Sequence, residues 1–325
     1  MTDWDPDPLG EGYAQHTIDL GDDPDGEGRI VATLVRRTPP TQVRHAILYV
    51  HGFSDYFFQT ELADFFTERG FAFYALDLRK CGRSQRPGQT PHYVSDLALY
   101  DKELNQALAL VRHETDGASV VLAAHSTGGL VLPLWLDRTR AAAGGEASSV
   151  AGLLLNSPWF DLQGKAWMRS VGTQAIRVLA KVKPFDVLKL PVTDAYGTSL
   201  HSSAHGTWDY DVAIKPLQGY DVTLGWLNAV RRGHARLHRG LDVGVPSLVL
   251  RSDKTHFARS WNEKVDRADV VLDVRQIARW SGCLGGEVSV VPIEDARHDV
   301  FLSLDEPRKA AYEAVDAWLD RSGLL

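Results

Sequence analysis

The distribution of hydrophobic residues divides this chain into short apolar runs and longer amphipathic segments. The apolar runs have the length and composition of strands buried on both faces of a sheet. Segments with helical periodicity lie between most of them. This alternation predicts an α/β fold with a mostly parallel central sheet and helices on both faces, and the first two strands are expected to form an antiparallel edge. The predicted strands are residues 16–20, 30–35, 46–50, 71–78, 119–124, 150–155, 247–250 and 287–291.

Cap residues and apolar periodicity also predict where the helices begin. Helices are expected over residues 60–70 and 96–111, from residue 127 and from residue 305. Pro133 lies inside the third of these, which predicts either a kink or a restart of that helix. Residues 1–12 are acidic and are expected to form a frayed leader.

The alternation of strands and helices fails between Trp159 and Val245. This stretch is too long for a simple connection in a compact domain, and its ends lie on consecutive predicted strands. We therefore expect an α/β core formed by residues 1–158 and 245–325, with residues 159–244 inserted as a helical lid. The insertion is rich in aromatic residues: Trp159, Trp167, Tyr196, Trp208, Tyr210, Tyr220 and Trp226.

Composition narrows the class of protein. The chain has 325 residues, 44% of them hydrophobic and 24% charged, which is typical of a globular protein. The net charge of −7, without a basic run, argues against a nucleic-acid partner. No signal peptide, stable membrane anchor or disulfide framework is expected, since the start is acidic, no apolar stretch is long enough to span a bilayer, and only Cys81 and Cys283 are present. These features predict a cytoplasmic protein and leave its oligomeric state open.

The chemistry is concentrated at residues 120–129, with the sequence VVLAAHSTGG. An apolar strand is followed at once by Ser126 and by a helical segment, which is the context of a nucleophile elbow. The usual pattern is G-x-S-x-G, because bulky side chains beside the serine would clash with the neighbouring strand and helix. Here Ala124 replaces the first glycine and Gly128 keeps the second. Ser126 is therefore a candidate nucleophile, the alternative being a serine that only caps the helix.

Two further segments follow predicted strands. His51-Gly52-Phe53 comes directly after strand 46–50, and residues 77–84 have the pattern D-x-R-x-x-G-x-S. With these motifs and the elbow, the chain resembles the α/β-hydrolases. It is most similar to the lid-bearing branch that contains monoacylglycerol lipases, lysophospholipases and serine aminopeptidase-like proteins. The resemblance covers roughly residues 29–321 and is weakest in the predicted lid.

The resemblance implies a triad in the order serine, acid, histidine. His298, in the loop after the last predicted strand, takes the place of the general base. Asp253, directly after strand 247–250, and Asp269, before a helical segment that starts near Asp273, compete for the acid. Asp269 is preferred because the family's acid lies in such a D-x-V context. Asp253 is the first alternative and Asp273 the second.

The resemblance also implies an oxyanion hole formed by the backbone amides of Phe53 and Thr127. We interpret the loop at 77–84 as structural support for the oxyanion loop, and His125 as packing or hydrogen-bonded support beside the nucleophile. The pairs His201/His205 and His234/His238 have the spacing of zinc ligands. They lack the intervening glutamate of a His-Glu-x-x-His motif, so no metal and no other cofactor is expected.

These residues predict a serine carboxylic-ester hydrolase that acts on small-molecule esters with an apolar moiety, such as lipid-like or aromatic monoesters, through an acyl-enzyme. Three alternatives remain. An amidase or proline-type aminopeptidase and a carbon–carbon hydrolase would use the same triad, and a non-catalytic ligand receptor would have the same fold. An aminopeptidase would also need carboxylates in the lid to hold a free ammonium group.

Overall fold

One nine-stranded sheet organises the protein, in a computed structural model that describes residues 3–142, 149–163, 176–191 and 193–325. Numbered along the chain, the strands lie side by side in the sheet in the order first, second, third, fifth, fourth, sixth, seventh, eighth and ninth. The fourth to ninth strands are mutually parallel, and the first three add an antiparallel edge. The strands are β1 (Asp5–Pro6), β2 (Tyr13–Asp22), β3 (Arg29–Arg37), β4 (His45–Val50), β5 (Phe71–Asp77), β6 (Val120–His125), β7 (Val150–Asn156), β8 (Ser247–Ser252) and β9 (Val288–Ile293).

Helices cover both faces of this sheet, which confirms the predicted α/β class. They are α1 (Thr60–Glu68), α2 (Asp101–Glu114), α3 (Gly128–Ala141), α4 (Ala195–Leu200), α5 (Leu224–Leu237), α6 (Val274–Trp280) and α7 (Asp305–Arg321). Residues 176–182 are also helical. Short 3₁₀ turns lie at Gly82–Ser84, Leu97–Tyr100, Val265–Arg267, Ser281–Leu284 and Val300–Leu302.

The two faces of the sheet bury separate hydrophobic clusters, because alternate residues of a strand point to opposite sides. In β4, Leu48 belongs to a cluster that includes Leu104 of α2, Leu130 of α3 and residues of α5. Its neighbour Ile47 belongs to the cluster on the other face, which contains residues of α1 and α7. The strands therefore read as continuous apolar runs, as expected for a sheet covered on both sides.

The expectation of a frayed leader at residues 1–12 is wrong for residues 3–12, and residues 1 and 2 lie outside the described residues. β1 pairs with β2 in an antiparallel register that places Asp5 opposite Gln15. Asp7 is 5% exposed, and its carboxylate accepts hydrogen bonds from Arg83 Nε and Nη2 at 2.7 and 3.0 Å. This acidic segment is ordered because the carboxylate of Asp7 pairs with the buried guanidinium of Arg83, which is distant in sequence.

The third predicted helix is continuous through Pro133. Proline lacks one N–H donor, and this position lies near the helix start, where few intrahelical bonds precede it. The observed element is therefore one α3 rather than two helices.

Residues 159–244 leave the sheet after β7 and return at β8, its parallel neighbour. The last helix of this segment, α5, packs into the main core: a Cβ added at Gly233 would lie 3.0 Å from Leu134 of α3. Further towards the start of the segment, Trp208 and Tyr210 pack around Phe58 in a small separate cluster. Residues 164–175, which include Trp167, lie outside the described residues. None of the helices in the described ranges is long and apolar enough to cross a membrane.

Candidate active site

Ser126 occupies a sharp turn between β6 and α3. Its φ is +52°, in the left-handed region that side-chain-bearing residues seldom adopt. A Cβ added at Gly128 would lie 2.5 Å from the carbonyl oxygen of His51 and 2.7 Å from that of Val50. The glycine at this position therefore lets the helix start approach the end of β4, and the turn presents Ser126 beside that strand end.

Ser126, His298 and Asp269 form a hydrogen-bonded chain. His298 Nε2 lies 3.0 Å from Ser126 Oγ, and His298 Nδ1 lies 2.9 Å from Asp269 Oδ2. His298 is 2% exposed and Asp269 is fully buried. In the neutral state Nδ1–H donates to the carboxylate, which leaves Nε2 free to accept the hydroxyl proton. This arrangement can transfer a proton from the serine to the imidazole.

The position of Asp269 is fixed by its backbone surroundings. Its Oδ1 accepts hydrogen bonds from the N–H groups of Val271 and Leu272 at 2.8 and 2.7 Å. Its own N–H donates to the carbonyl of Lys254 at 3.0 Å, which ties the two ends of the loop after β8 together. This geometry favours Asp269 as the partner of His298.

The two competing aspartates have other partners. Asp253 accepts a hydrogen bond from the N–H of Asp295 at 3.0 Å and lies 3.4 Å from Lys254 Nζ. Asp273 caps α6, since its side chain accepts from the N–H of Arg275 at 3.1 Å.

The loop that leaves β4 runs against the nucleophile. A Cβ added at Gly52 would lie 3.0 Å from the Cβ of Ser126. Among the described residues, no acceptor is hydrogen-bonded to the N–H of Phe53 or to that of Thr127. Two free amide donors beside a serine are what a developing oxyanion requires.

The loop at residues 77–84 supports this arrangement through hydrogen bonds. Asp77 accepts from the N–H groups of Phe57 and Arg83 at 3.1 and 3.0 Å. The N–H of Leu78 donates to His51 Nε2 at 3.1 Å, which orients the first residue of the loop that leaves β4.

The inserted segment covers the site with aromatic rings. The ring of Tyr196 meets that of His298 edge-on, with the centroids 5.4 Å apart. Trp226 packs against Phe53 with the centroids 4.1 Å apart. Ser126 is only 8% exposed, and the cavity beside Phe53 measures about 10 Å³, enough for roughly one water molecule. Ser126 is therefore almost completely buried in this conformation.

Three of the four histidines that were considered as metal ligands are hydrogen-bonded to backbone carbonyls. His234 Nε2 and His238 Nε2 lie 2.8 Å from the carbonyl oxygens of Trp159 and Phe160. His201 Nε2 lies 3.1 Å from the carbonyl of Tyr210. In the part of the chain with described coordinates, no group of three or more His, Cys, Asp or Glu residues could hold a metal ion.

Sequence reasoning missed two buried charges beside the site. Asp55, two residues beyond Phe53, contacts both His125 and Lys215. The proximity of Asp55 to the His-Gly-Phe motif was a usable signal. Lys215 offered none, because it lies 160 residues further along the chain within the inserted segment.

Comparisons with known proteins agree with this architecture. The sequence profile of the family described as serine aminopeptidase, S33, matches residues 41–264. No curated protein is significantly similar to the chain in sequence.

Several solved structures share the fold. A monoglyceride lipase from Saccharomyces cerevisiae is 16% identical, with a TM-score of 0.64 over 99% of this chain and 95% of that one. A monoacylglycerol lipase from Paleococcus ferrophilus is 19% identical, with a TM-score of 0.63 over 90% and 99% of the two chains. A carboxyl esterase from Bacillus coagulans is 13% identical, with a TM-score of 0.64 over 94% and 98%. At these identities the similarity establishes the common α/β-hydrolase fold.

Proposed function

The chain belongs to the serine aminopeptidase S33 family of hydrolases, and from this premise we propose that it is a serine hydrolase that cleaves carboxylic esters with an apolar moiety. The observation on which this proposal depends is the hydrogen-bonded chain from Ser126 through His298 to Asp269. A serine hydroxyl is a poor nucleophile at neutral pH, and an oriented imidazole is the usual means of activating it.

In the proposed mechanism, His298 Nε2 takes the proton of Ser126 as Oγ attacks the ester carbonyl. The amides of Phe53 and Thr127 stabilise the oxyanion, and each such donor contributes about 3–4 kcal/mol to lowering the barrier. His298 then protonates the departing alcohol, which leaves an acyl-enzyme on Ser126. Water repeats the same steps and releases the acid. Asp269 keeps the imidazole in the required tautomer and stabilises its protonated form.

Two observations favour esters over peptides with a free amino terminus. Aromatic side chains surround the site, which suits an apolar acyl or alcohol group. Two buried carboxylates that could hold a substrate ammonium are already paired with cations of the protein: Asp55 with Lys215 and Asp161 with Arg231.

The names of structurally similar proteins point the same way, since they include two lipases of monoacylglycerols and a carboxyl esterase. We further propose that residues 159–244 act as a lid. Tyr196 packs on His298 and Trp226 packs on Phe53, so this segment must shift before a substrate can reach Ser126.

Two measurements on the purified protein test the proposal. A fluorophosphonate probe should label Ser126, as located by peptide mass spectrometry, and Ser126→Ala should abolish labelling. Failure of the folded wild-type protein to label would favour a non-catalytic receptor. Hydrolysis of p-nitrophenyl esters of increasing chain length should be faster than that of proline p-nitroanilide, and the opposite order would favour an aminopeptidase.

A further inference from the structure

A buried carboxylate joins the oxyanion loop, the nucleophile strand and the inserted segment. Asp55 is 1% exposed. Its Oδ1 lies 2.5 Å from Lys215 Nζ, and its Oδ2 lies 3.1 Å from His125 Nδ1. Asp55 belongs to the loop that contains Phe53, and His125 directly precedes Ser126. Three segments that are distant in sequence therefore meet at one carboxylate.

Lys215 is the contribution of the inserted segment to this contact. It is 4% exposed and lies between α4 and α5. Its ammonium group lies 5.2, 5.7 and 5.6 Å from the ring centroids of Phe58, Tyr196 and Tyr210. A cation in such an apolar and aromatic environment is favourable only while its counter-ion is in place.

The electrostatics of Asp55 show how tightly the pair is coupled. Burial alone would raise the pKa of Asp55, but the Lys215 ammonium and the hydrogen bond from His125 outweigh it and hold that pKa well below its usual range. The carboxylate is therefore charged at neutral pH. If Lys215 withdrew, Asp55 would remain as an uncompensated buried charge beside the oxyanion loop.

The same lysine is connected to the proposed general base. It packs against the ring of Tyr196, whose edge contacts the ring of His298. Contacts of the inserted segment that involve no charge pair also exist: the N–H of Tyr220 donates to Ser54 Oγ at 2.7 Å, and the N–H of Asp211 donates to the hydroxyl of Tyr56 at 2.9 Å. These contacts would keep the segment folded without Lys215.

We propose that Lys215 is a positioning residue whose buried ion pair with Asp55 couples closure of the inserted segment to the geometry of the oxyanion loop and the nucleophile strand. Its effect on turnover rests on the proposed ester hydrolysis, whereas its effect on closure does not. Closure supplies the cation that Asp55 needs, so the arrangement for catalysis is complete only when the segment covers the site.

The test compares Lys215→Met, Asp55→Asn and the double variant with wild type. Lys183→Met is the matched control, because Lys183 lies in the same inserted segment but forms an exposed ion pair with Asp186. Amide hydrogen exchange over residues 195–220 should be at least tenfold faster in Lys215→Met on the timescale of local opening. On that timescale the amides of β4, β5 and β6 should stay protected, because core strands exchange through the much rarer unfolding of the whole chain. The kcat for p-nitrophenyl butyrate should fall about tenfold. The double variant should recover at least half of this loss on a logarithmic scale, because it leaves no unpaired charge.

Unchanged exchange over residues 195–220 in Lys215→Met would overturn the proposal. Equally fast exchange of the sheet on the timescale of local opening would also overturn it, because that result indicates a purely structural role. If Lys215→Met does not fold, Asp55→Asn is the second variant, because asparagine can still accept a hydrogen bond from His125. Asp55→Asn also removes the counter-ion of Lys215, so it should show the same local increase in exchange. Fluorophosphonate labelling of wild-type Ser126 separates the two proposals: absence of labelling contradicts the ester hydrolysis, and the exchange measurement still decides the coupling.

Discussion

Two buried histidine–aspartate pairs lie side by side in this protein. In one, His298 Nδ1 lies 2.9 Å from Asp269; in the other, His125 Nδ1 lies 3.1 Å from Asp55. The two imidazole rings are only 4.8 Å apart between centroids. Both carboxylates are almost completely buried. By local geometry alone the pairs are nearly equivalent.

They differ in what stabilises the carboxylate. Asp269 accepts two hydrogen bonds from the amides of Val271 and Leu272, which are dipoles and leave its net charge in place. Asp55 is neutralised by the full charge of Lys215. A carboxylate that keeps its negative charge stabilises an imidazolium when a proton arrives, whereas one already paired with an ammonium does so much less.

The other ring nitrogen differs as well. His298 Nε2 faces the hydroxyl of Ser126, whereas His125 Nε2 is buried and has no hydrogen-bond partner among the described residues. An aspartate hydrogen-bonded to a histidine therefore does not by itself identify a proton relay. The counter-charge of the aspartate and the group on the far nitrogen are the distinguishing features.

Replacing each carboxylate by an amide tests directly whether the two histidine–aspartate pairs have different roles. Asp269→Asn should lower kcat/KM by about 10³–10⁴-fold, because the amide favours the wrong imidazole tautomer and does not stabilise the imidazolium. Asp55→Asn should cost no more than about tenfold. Steady-state kinetics with p-nitrophenyl butyrate measure both, with Asp253→Asn as a control that should remain close to wild type. A larger loss in Asp55→Asn than in Asp269→Asn would reverse the assignment.

Removing the charge of Lys215 should lower the stability of the folded protein. Lys215→Met should lower the free energy of unfolding at pH 7 by about 3–5 kcal/mol, because one buried charge loses its partner. The pKa of Asp55 is held below its unfolded value of about 3.9, so its contribution to stability is complete above that pH and declines as the pH falls.

Without Lys215, Asp55 should take up a proton at higher pH, so acid conditions favour the variant relative to wild type. The difference between the two proteins should therefore narrow from pH 7 to pH 4. Urea unfolding at both pH values measures it, and a constant difference would argue that packing rather than charge is lost.

The close approach of the start of α3 to the end of β4, beside both pairs, can be tested at Gly128. In Gly128→Ala the added methyl group would meet the carbonyls of His51 and Val50 and push the oxyanion loop away from Ser126. A displacement of about 1 Å at a catalytic group lowers the rate by about 10²-fold, so we expect that loss in kcat/KM. Gly282→Ala, where a Cβ meets nothing within 4 Å, is the control and should leave kcat/KM unchanged.

His92 is another buried imidazole whose Nε2 has no hydrogen-bond partner in the described part of the chain, and unlike His298 and His125 it has no aspartate hydrogen-bonded to its ring there. Burial first, and then neighbouring His51, lower the pKa of His92 to about 3. Between pH 6.5 and 3 the unfolded chain binds a proton here that the folded protein does not, so stability falls as the pH falls. His92 should account for about 2 kcal/mol of the stability lost between pH 7 and pH 5.

Asparagine tolerates the φ of +60° at this position, so His92→Asn should fold and should lack this part of the pH dependence. Urea unfolding of both proteins at pH 5, 6 and 7 provides the measurement. Equal pH slopes for the two proteins would contradict the expectation.

Local sequence predicted the features that depend on neighbours along the chain. The strand-turn-helix at residues 120–129 could be predicted because small residues flank the serine, as the turn requires. The parallel strands could be recognised as apolar runs. The order of these elements indicated where Ser126 and His298 lie in the fold. The choice of Asp269 over Asp253 depended on resemblance, because both follow the same strand and only their hydrogen-bond partners distinguish them.

Ion pairs between distant segments could not be predicted from the sequence. Asp7 looked like part of a disordered leader because its partner, Arg83, is 76 residues away. Lys215 carried no prediction, because nothing near it in the sequence indicates that its partner is Asp55, 160 residues away. The inserted segment was also treated as one unit, although α5 packs on α3 in the main core. Periodicity reports that a helix has an apolar face, but it does not report which surface that face covers.

Ser126 is only 8% exposed, and this burial has a kinetic consequence for the proposed hydrolysis. If residues 159–244 act as the proposed lid, an acyl donor of any size must wait for the aromatic cover to open, so short and long esters would share one physical step before the acyl bond forms. Increasing solvent viscosity would then depress turnover of good substrates. An assay that ranks substrates by rate alone would report the frequency of that motion together with the fit of the acyl chain.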